Sequence, residues 1–443
     1  MRVLLISANR EQLPAPVVPL GLLLVAASTR SAHEVELLDL CFEEDPHAVL
    51  TTSIAKYVPD VIGLGIRNLH DNAYRAQAEI LADYQSLVAT IRKSTAAPLV
   101  LGGAGFSLRP HELLARLEAD YGVIGEGERT FPWLLSELAQ GHKPARLIDN
   151  GVLVSQGLRQ WSTLDDLPLP ARDLIDPRYR LLDGTENVQT KRGCAFRCAY
   201  CDYPDLEGQM VRLRDPERIA DEVLSRSQVP GVTSLFFVDS VFNVPRRHAL
   251  AVCHALSARG APLPWVAYVS PVSLDEELVT AMAQAGCIGV EIGSDSGSEE
   301  GLRRLRKPFG QKEIRSAHHW LHAAGIADCH TFVVGAFGET AEDVKKTLDF
   351  VSELDPDVAV FIVFHEDRED LAPQVSPHRA AILSLLQREA ADHPGWVVPE
   401  LGLRLSHKLQ RFLRQNSLRG PAWLHLAAVR RRRHSSVVSA EPR

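Results

Sequence analysis

Short apolar runs alternate with segments of helical spacing through residues 1–150. The strand-like runs are Val3–Ser7, Val35–Leu40, Val61–Ile66, Pro98–Gly102 and Tyr121–Ile124. The helical segments between and after them are Leu20–Thr29, Ala48–Tyr57, Gln77–Lys93, Pro110–Ala119 and Phe131–Leu138. Strands that alternate with helices predict an α/β fold with a parallel, doubly wound sheet. Such sheets bind ligands beyond the carboxyl ends of their strands, where Ser7–Asn9, Arg67–Asn68 and Gly102–Gly105 fall.

A second set of strand-like runs begins after a segment, 151–185, that is rich in proline and aspartate and predicts an ordered linker. These runs are Asn187–Thr190, Ser234–Val238, Trp265–Val269, Gly289–Ile292, Asp328–Val334 and Val358–Phe364. Six strand–helix repeats predict a partial (β/α)6 barrel. The predicted organisation is therefore a Rossmann-like domain over 1–150, a linker over 151–185, a partial barrel over 186–365 and a small helical region over 366–443.

Two groups of basic side chains have ordinary explanations. Arg430–Arg433 form a run near the carboxyl terminus, for which we predict a solvated tail, with an anionic partner such as lipid or tRNA as the alternative. His318, His319 and His322 lie on one helical segment without a companion carboxylate motif, so we predict that they lie on the helix surface.

Composition narrows the class of protein. The formal net charge of -8 gives no basic field of the kind that nucleic-acid binders use. Seven scattered cysteines do not resemble a secreted disulfide framework, so a reducing compartment, the cytoplasm, is expected. The apolar stretch Val17–Ala27 is shorter than the about 20 residues of a membrane span, so none is predicted.

Three of the cysteines lie together in one loop. Cys194, Cys198 and Cys201 follow a strand-like run, and thiolates are the ligands that hold iron–sulfur clusters. Three thiolates leave one iron of a four-iron cluster open to an outside ligand. A zinc ribbon would need a second Cys or His pair downstream, which the chain lacks. The spacing therefore favours an iron–sulfur cluster over zinc, and the separate cysteines Cys41, Cys253, Cys287 and Cys329 are predicted to be core residues.

This loop resembles the cluster-binding motif of the radical S-adenosylmethionine (SAM) superfamily, with three and then two residues between the cysteines. The resemblance extends to Phe237–Phe242, to Glu291–Gly297 followed by Leu305–Lys307, and to Gly335–Thr340. It implies that SAM binds the open iron. The residues that it implies near SAM are Tyr200, Asp239, Glu291, Ser294, Asp295 and Gly335.

The amino-terminal region lacks the glycine-rich turn of a nicotinamide dinucleotide site. Combined with the barrel, it resembles the cobalamin-binding domain of the same superfamily. The residues implied near cobalamin are Arg67, Asn68, Gly102, Gly103 and Glu126. The Asp-x-His-x-x-Gly loop that supplies histidine to cobalt is missing, so we expect cobalt without a protein imidazole, and Arg67 below the corrin. The alternative for Arg67 is an arginine that caps the sheet edge through Asp71.

The resemblance implies a cobalamin-dependent radical SAM methyltransferase that acts on an unactivated carbon of a small molecule. It implies a 5′-deoxyadenosyl radical, methylcobalamin and an external low-potential electron donor such as a flavodoxin or ferredoxin. One alternative has the same cofactors but performs oxidation, cyclisation or rearrangement without methyl transfer. A second alternative is a cobalamin or cluster sensor without turnover.

Overall fold

The computed structural model describes residues 1–12, 15–69, 77–149, 163–364, 377–401, 412–413, 415–416 and 418–438. Residues 151–162 of the predicted linker therefore lie outside the described residues. The chain forms two compact units. The first contains Met1–Gln12, Pro16–Tyr179 and Asp202–Arg212, and the second contains Leu13–Ala15, Arg180–Cys201 and Leu213–Arg443.

The first unit is built on a six-stranded parallel sheet with the order β2-β1-β3-β4-β5-β6. Its strands are β1 (Arg2–Ser7), β2 (Glu34–Asp39), β3 (Val61–Gly65), β4 (Leu99–Gly102), β5 (Tyr121–Val123) and β6 (Leu147–Ile148). Apolar side chains cover both faces, one centred on Ile62 and Leu101 and the other on Val3 and Val100. Burial on both faces explains the nearly continuous apolar runs, and the predicted doubly wound sheet is confirmed.

The second unit is built on a seven-stranded parallel sheet with the order β15-β14-β13-β12-β11-β10-β7. Its strands are β7 (Thr185–Val188), β10 (Ser234–Phe237), β11 (Trp265–Val269), β12 (Cys287–Asp295), β13 (Ala327–Val334), β14 (Val358–Val363) and β15 (Trp396–Val397). The two-residue strands β8 (Lys191–Arg192) and β9 (Arg212–Leu213) lie outside both sheets. The structure thus adds the short β15 to the six predicted strands.

The helices alternate with these strands, and several begin at caps that the sequence supplies. Asp45 and Asp215 each accept two backbone hydrogen bonds at a helix start that is followed by proline. The α-helices are Leu20–Thr29, Pro46–Tyr57, Gln77–Ser94, Ala104–Leu108, Pro110–Arg116, Gly127–Ala139, Arg178–Leu182, Tyr203–Glu207, Pro216–Ser227, Arg246–Ala258, Glu276–Gln284, Glu299–Arg304, Gln311–Ala323, Ala341–Leu354, Pro377–Glu389 and Ala422–Val438. The 3-10 helices are Leu164–Asp166, Arg172–Leu174 and Pro399–Leu401. No helix among the described residues has the length and apolarity needed to cross a membrane.

The carboxyl-terminal helix, Ala422–Val438, covers one face of the second sheet. Trp423 and Ala427 pack against Val266 and Cys329, whereas the other helices cover the opposite face. A Cβ atom at Gly289 would lie 2.6 Å from the Trp423 ring, so β12 needs glycine there. The close packing fixes this helix to the sheet.

The prediction of a solvated arginine tail was wrong for Arg430 and Arg431, because both lie in the carboxyl-terminal helix and bind the sheet. Arg431 Nε lies 2.9 Å from both oxygens of Asp357, and its Nη atoms donate to the carbonyls of Gly325 and Ile326. Arg430 pairs with Asp355 and donates to the carbonyl of Pro356 at 2.6 Å. These two arginines therefore neutralise acidic groups at the start of β14.

Candidate active site

The cysteine loop leaves the carboxyl end of β7, the first strand of the second sheet. Cys194, Cys198 and Cys201 are partly exposed, and none forms a disulfide. The Cys201 amide donates to the Cys198 carbonyl at 3.2 Å, and the Ala199 amide donates to the Leu305 carbonyl at 3.0 Å. The second bond ties the loop to the segment that follows the helix Glu299–Arg304.

Asp239 fixes the start of the loop. Its carboxylate accepts hydrogen bonds from the Thr190 amide at 2.7 Å, the Thr190 hydroxyl at 2.5 Å and the Lys191 amide at 3.2 Å. The Lys191 ammonium lies 3.7 Å from the same carboxylate and donates to the Phe242 carbonyl at 2.8 Å. The end of β10 therefore holds the loop in place, and the predicted contact of Asp239 with SAM stays a prediction.

A buried polar group connects the loop to β12. The Tyr200 hydroxyl donates to Asp295 at 2.6 Å, and the Lys307 ammonium pairs with Asp295 and donates to the Tyr200 hydroxyl at 3.1 Å. Burial opposes the charge of Lys307, but the charges of Asp295 and Cys198 outweigh it and raise the Lys307 pKa. Burial also opposes the charged form of the Cys198 thiol and so raises its pKa, whereas the positive charge of Lys307 acts to lower it. The structure thus brings Tyr200 and Asp295 together beside the cysteines.

The three thiols of the loop are not arranged as a compact site for a single metal ion. The described residues contain two groups of three ligand-type side chains with donor atoms within 4.8 Å of one another, and neither includes a cysteine. Thiolates around one zinc ion lie closer than that, roughly 3.8 Å apart for Zn–S bonds of about 2.3 Å. At least one pair of the Cys194, Cys198 and Cys201 thiols is therefore farther apart than the ligands of a single zinc ion, and their assignment to a four-iron cluster rests on their spacing in the sequence.

Glu291 lies on the face of β12 that the carboxyl-terminal helix covers. Its carboxylate accepts a hydrogen bond from the Trp423 indole at 2.8 Å. Burial raises the pKa of Glu291 to about 7, although the bond from Trp423 acts to lower it. The sequence did not suggest the contact between Trp423 and Glu291, because more than a hundred residues separate them along the chain.

Two other residues implied near SAM have different surroundings. The Ser294 hydroxyl is buried and lies 2.7 Å from His330 Nδ1, so this side chain is directed away from the Tyr200–Asp295 pair. Gly335 adopts φ +80°, and its amide donates to Glu339 at 2.6 Å. Burial raises the pKa of Glu339 to about 7. The turn after β13 thus requires glycine, and the proposed SAM contacts of both residues stay predictions.

In the first unit, the backbone segments after β3 and β4 approach closely. A Cβ at Gly103, where φ is +100°, would lie 2.5 Å from the Ile66 carbonyl oxygen, and the Gly105 amide donates to that oxygen at 3.1 Å. The Asn68 carbonyl accepts from the Tyr84 hydroxyl at 2.7 Å. Arg67, between them, is exposed. Its proposed partner Asp71 and the nearby His70 lie outside the described residues.

A pocket opens at this edge of the first sheet. Its lining includes Asn9, Asn68, His47 and Tyr84. The side-chain nitrogen of Asn9 is buried without a hydrogen-bond partner among the described residues, as expected where a bound molecule would supply an acceptor. Both ring nitrogens of His47 have partners, with Thr90 at 2.8 Å and Ser86 at 3.4 Å. The edge therefore fits an organic cofactor with polar groups.

Glu126, the last residue implied near cobalamin, is held by an ion pair within the first unit. Arg212 Nη1 donates to Glu126 at 3.0 Å, and Arg212 also donates to the Glu207 carbonyl at 3.0 Å. Gly125 before it adopts φ +73° with open space around its Cα, and Gly102 also has no close neighbour on its Cβ side. This part of the edge leaves room for a ligand.

Each of the two units matches a known protein family. The family model described as "B12 binding domain" matches residues 6–135, and the one described as "Radical SAM superfamily" matches residues 188–351. An uncharacterised methyltransferase of Pyrococcus horikoshii is 26% identical over 82% of this chain and 80% of its own length. The tryptophan 2-C-methyltransferase of Streptomyces laurentii is 27% identical over 80% of this chain and 71% of its own length.

The fold is similar to that of a solved enzyme. The structure of the radical S-adenosylmethionine methyltransferase TsrM from Kitasatospora setae, with tryptophan and a SAM analogue bound, superposes with a TM-score of 0.81 at 22% identity. The match covers 99% of this chain and 100% of that chain. Since it carries a B12-binding domain followed by a radical SAM domain, the chain belongs to the cobalamin-binding group of the radical SAM superfamily.

Proposed function

We propose that the protein is a cobalamin-dependent radical SAM methyltransferase that methylates a carbon of a small molecule. The observation that carries the proposal is the presence, in one chain, of a three-thiol loop at the carboxyl end of a barrel strand and a cobalamin domain. Relatives that match about four fifths of the chain and are named methyltransferases support methyl transfer over the alternatives.

The cofactors of the family are a [4Fe-4S] cluster, SAM and cobalamin. When bound, the cluster and SAM supply a carbon-centred radical, and cobalamin supplies a transferable methyl group. Cys194, Cys198 and Cys201 would hold the cluster. Asp239 fixes one end of their loop through Thr190, and Lys307 fixes the middle through Asp295 and Tyr200.

In the first unit, Asn9 and Asn68 would hold polar parts of cobalamin at the sheet edge. His47 has both ring nitrogens occupied by protein partners, which supports cobalt without this imidazole. Arg67, exposed two residues after β3, would lie near the bound cobalamin, where its positive charge would disfavour further ligands to cobalt.

The remaining parts of the proposal concern partners and location. The cluster needs an external low-potential electron donor such as a flavodoxin or ferredoxin. Four of the seven cysteines are buried and the other three form the cluster loop, a usage that supports a reducing compartment such as the cytoplasm. Tryptophan, bound in the TsrM structure, is the first substrate to test.

The test is an anaerobic reaction of the full chain, loaded with cluster and cobalamin, with a low-potential reductant such as reduced flavodoxin and with SAM that carries a deuterated methyl group. Mass spectrometry of the product decides between the functions. Gain of one labelled methyl group supports methyl transfer. Loss of hydrogens without label supports radical oxidation, and an isomer of unchanged mass supports rearrangement. Absence of both product and 5′-deoxyadenosine across the substrates tested would support the sensor.

A further inference from the structure

A cluster of histidines and aspartates lies in the second unit, where the helix Gln311–Ala323 packs against β13 on the face opposite the carboxyl-terminal helix. It consists of His318 and His322 on the helix Gln311–Ala323, Asp328 and His330 on β13, and Asp357 before β14. The two helix histidines are four residues apart and so share one face of the helix. The prediction that they lie on the surface was therefore wrong for His318, whose side chain is 17% exposed and bonded to Asp328.

Asp328 is the centre of this cluster. Its Oδ2 lies 2.6 Å from His318 Nδ1 and 3.1 Å from His330 Nε2. Its Oδ1 lies 3.3 Å from His322 Nε2 and accepts from the Asp357 amide at 2.9 Å. Asp328 and His330 are fully buried. Three imidazoles thus converge on one buried carboxylate.

The charges in the cluster leave one carboxylate unbalanced. Arg431 offsets Asp357, with Nε 2.9 Å from each of its oxygens. The buried charge of Asp328 then requires a cation, either a proton on an imidazole or a metal ion. His318, Asp328 and His330 have donor atoms within 4.8 Å of one another, close enough to bind the same ion.

The surroundings of His330 are those of a metal ligand. Ser294 lies 2.7 Å from its Nδ1, which orients the ring and directs Nε2 toward Asp328. Partners of this kind orient the histidines of metal sites. Around tetrahedral zinc the nitrogen and oxygen ligands lie roughly 3.3 Å apart, given bonds of about 2.0 to 2.1 Å. The contacts of Asp328 with His318, at 2.6 Å, and with His330, at 3.1 Å, would widen by less than about 1 Å each to admit the ion.

We propose that His318, Asp328 and His330 bind a zinc ion that stabilises the barrel. Asp328 is the second residue of β13, so the site lies near the amino-terminal ends of the strands, whereas the cysteine loop follows a carboxyl end. In barrels of this kind the amino-terminal end serves stability and the carboxyl end serves chemistry. The ion would connect the helix Gln311–Ala323 to β13 without a part in the reaction.

The experiment uses the full chain loaded with its cluster and cobalamin, given equimolar Zn²⁺ and then passed through a desalting column. Elemental analysis by mass spectrometry reports zinc separately from iron and cobalt. We expect one zinc per chain, and X-ray absorption at the zinc edge should show nitrogen and oxygen ligands without sulfur. Sulfur ligands would place zinc in the cysteine loop and overturn the proposal, as would absence of retained zinc.

Variants assign the ligands. We expect His318→Ala and His330→Gln to weaken zinc binding by more than about tenfold, since even partners of metal ligands contribute about that much. His319→Ala is the matched control, because His319 is exposed on the same helix. Unchanged iron and cobalt contents verify folding. If His330→Gln does not fold, the test rests on His318→Ala, which replaces a partly exposed side chain. Normal zinc retention in His318→Ala would contradict the proposal.

Discussion

The hydroxyl of Tyr200, beside the last cysteine of the loop, donates a 2.6 Å hydrogen bond to the carboxylate of Asp295 at the end of β12. Asp295 is 2% exposed and adopts φ +61°, and its charge is balanced by Lys307. Through these contacts the position of the cysteine loop depends on a buried ion pair about a hundred residues further along the chain.

We therefore expect Lys307→Met to destabilise the protein strongly, because it leaves Asp295 charged, buried and without its cation. Removal of one partner of a buried pair costs about 3–5 kcal/mol. The midpoint of urea unfolding of the iron-free protein measures the effect. Lys345→Met, which removes solvent-accessible pairs with Asp349 and Glu389, is the control and should change the midpoint much less. If Lys307→Met and Lys345→Met behave alike, Lys307 is not required to balance Asp295.

Replacement of Cys194, Cys198 or Cys201 by alanine should abolish cluster binding, because each thiolate holds one iron. Iron content and the yield of 5′-deoxyadenosine are the measurements, and both should fall to background. Cys253→Ala is the control, since Cys253 is fully buried in the apolar core of the second unit. Full iron content and full activity in any variant of the triad would refute the cluster assignment.

The strands were predictable because a buried strand leaves a local pattern of apolar residues in the sequence. β11 has the predicted bounds, Trp265–Val269, and the residues Cys41, Cys253, Cys287 and Cys329 are buried as predicted. β12 extends beyond the predicted Gly289–Ile292 to Asp295, whose contact with Tyr200 lies in the extension, and within the predicted bounds Glu291 contacts Trp423. Those partners come from distant parts of the chain, which a local pattern does not contain.

The side-chain contacts between distant elements could not be predicted for the same reason. The spacing of His318 is typical of a residue on the helix surface. Its contact with Asp328 arises only because β13 packs against this helix in the fold. Arg431 belongs to a basic run that is typical of a solvated tail. Only the fold shows that its guanidinium donates hydrogen bonds to Asp357 and to two backbone carbonyls. Lys307 and Asp295 both belong to motifs that resemble those of the family, but the sequence did not show that the two side chains form an ion pair.

Glu291 should make the stability of the protein depend on pH between about 4.5 and about 7. Burial raises its pKa from 4.5 to about 7 in the folded protein, so the folded state retains a proton that the unfolded state releases. The unfolded chain then binds fewer protons, and stability falls as pH rises through this range. Glu291→Gln keeps an acceptor for Trp423 and removes the titration.

The measurement is the urea midpoint of the cofactor-free protein and of Glu291→Gln, compared from pH 5 to pH 8. We expect the difference between them to favour the variant increasingly as pH rises. Other carboxyls, such as Glu339, titrate in both proteins and cancel in the difference. A difference that does not change with pH would show that Glu291 has an ordinary pKa.

Cobalamin bound to the full chain should have no protein nitrogen on cobalt. The histidine loop of other cobalamin domains is missing, and the ring nitrogens of His47 contact Thr90 and Ser86. Electron paramagnetic resonance of the cobalt(II) state reports an axial nitrogen directly. Nitrogen superhyperfine splitting that disappears in a histidine variant such as His47→Gln would contradict this expectation, because splitting from the benzimidazole base of cobalamin itself would persist in every variant.

Arg67 should affect methyl transfer without affecting SAM cleavage, because it lies in the loop after β3 of the first unit whereas the cysteine triad belongs to the second. If its positive charge keeps the lower face of cobalamin free, Arg67→Lys should largely preserve methyl transfer, and Arg67→Ala or Arg67→His should slow it. A guanidinium also forms planar hydrogen bonds that an ammonium cannot, so a loss in Arg67→Lys would indicate geometry in place of charge. Methylated product and 5′-deoxyadenosine, quantified in the same reaction, separate the two steps. If Arg67→Ala leaves both at the level of the parent protein, Arg67 is an arginine of the sheet edge with no part in methyl transfer.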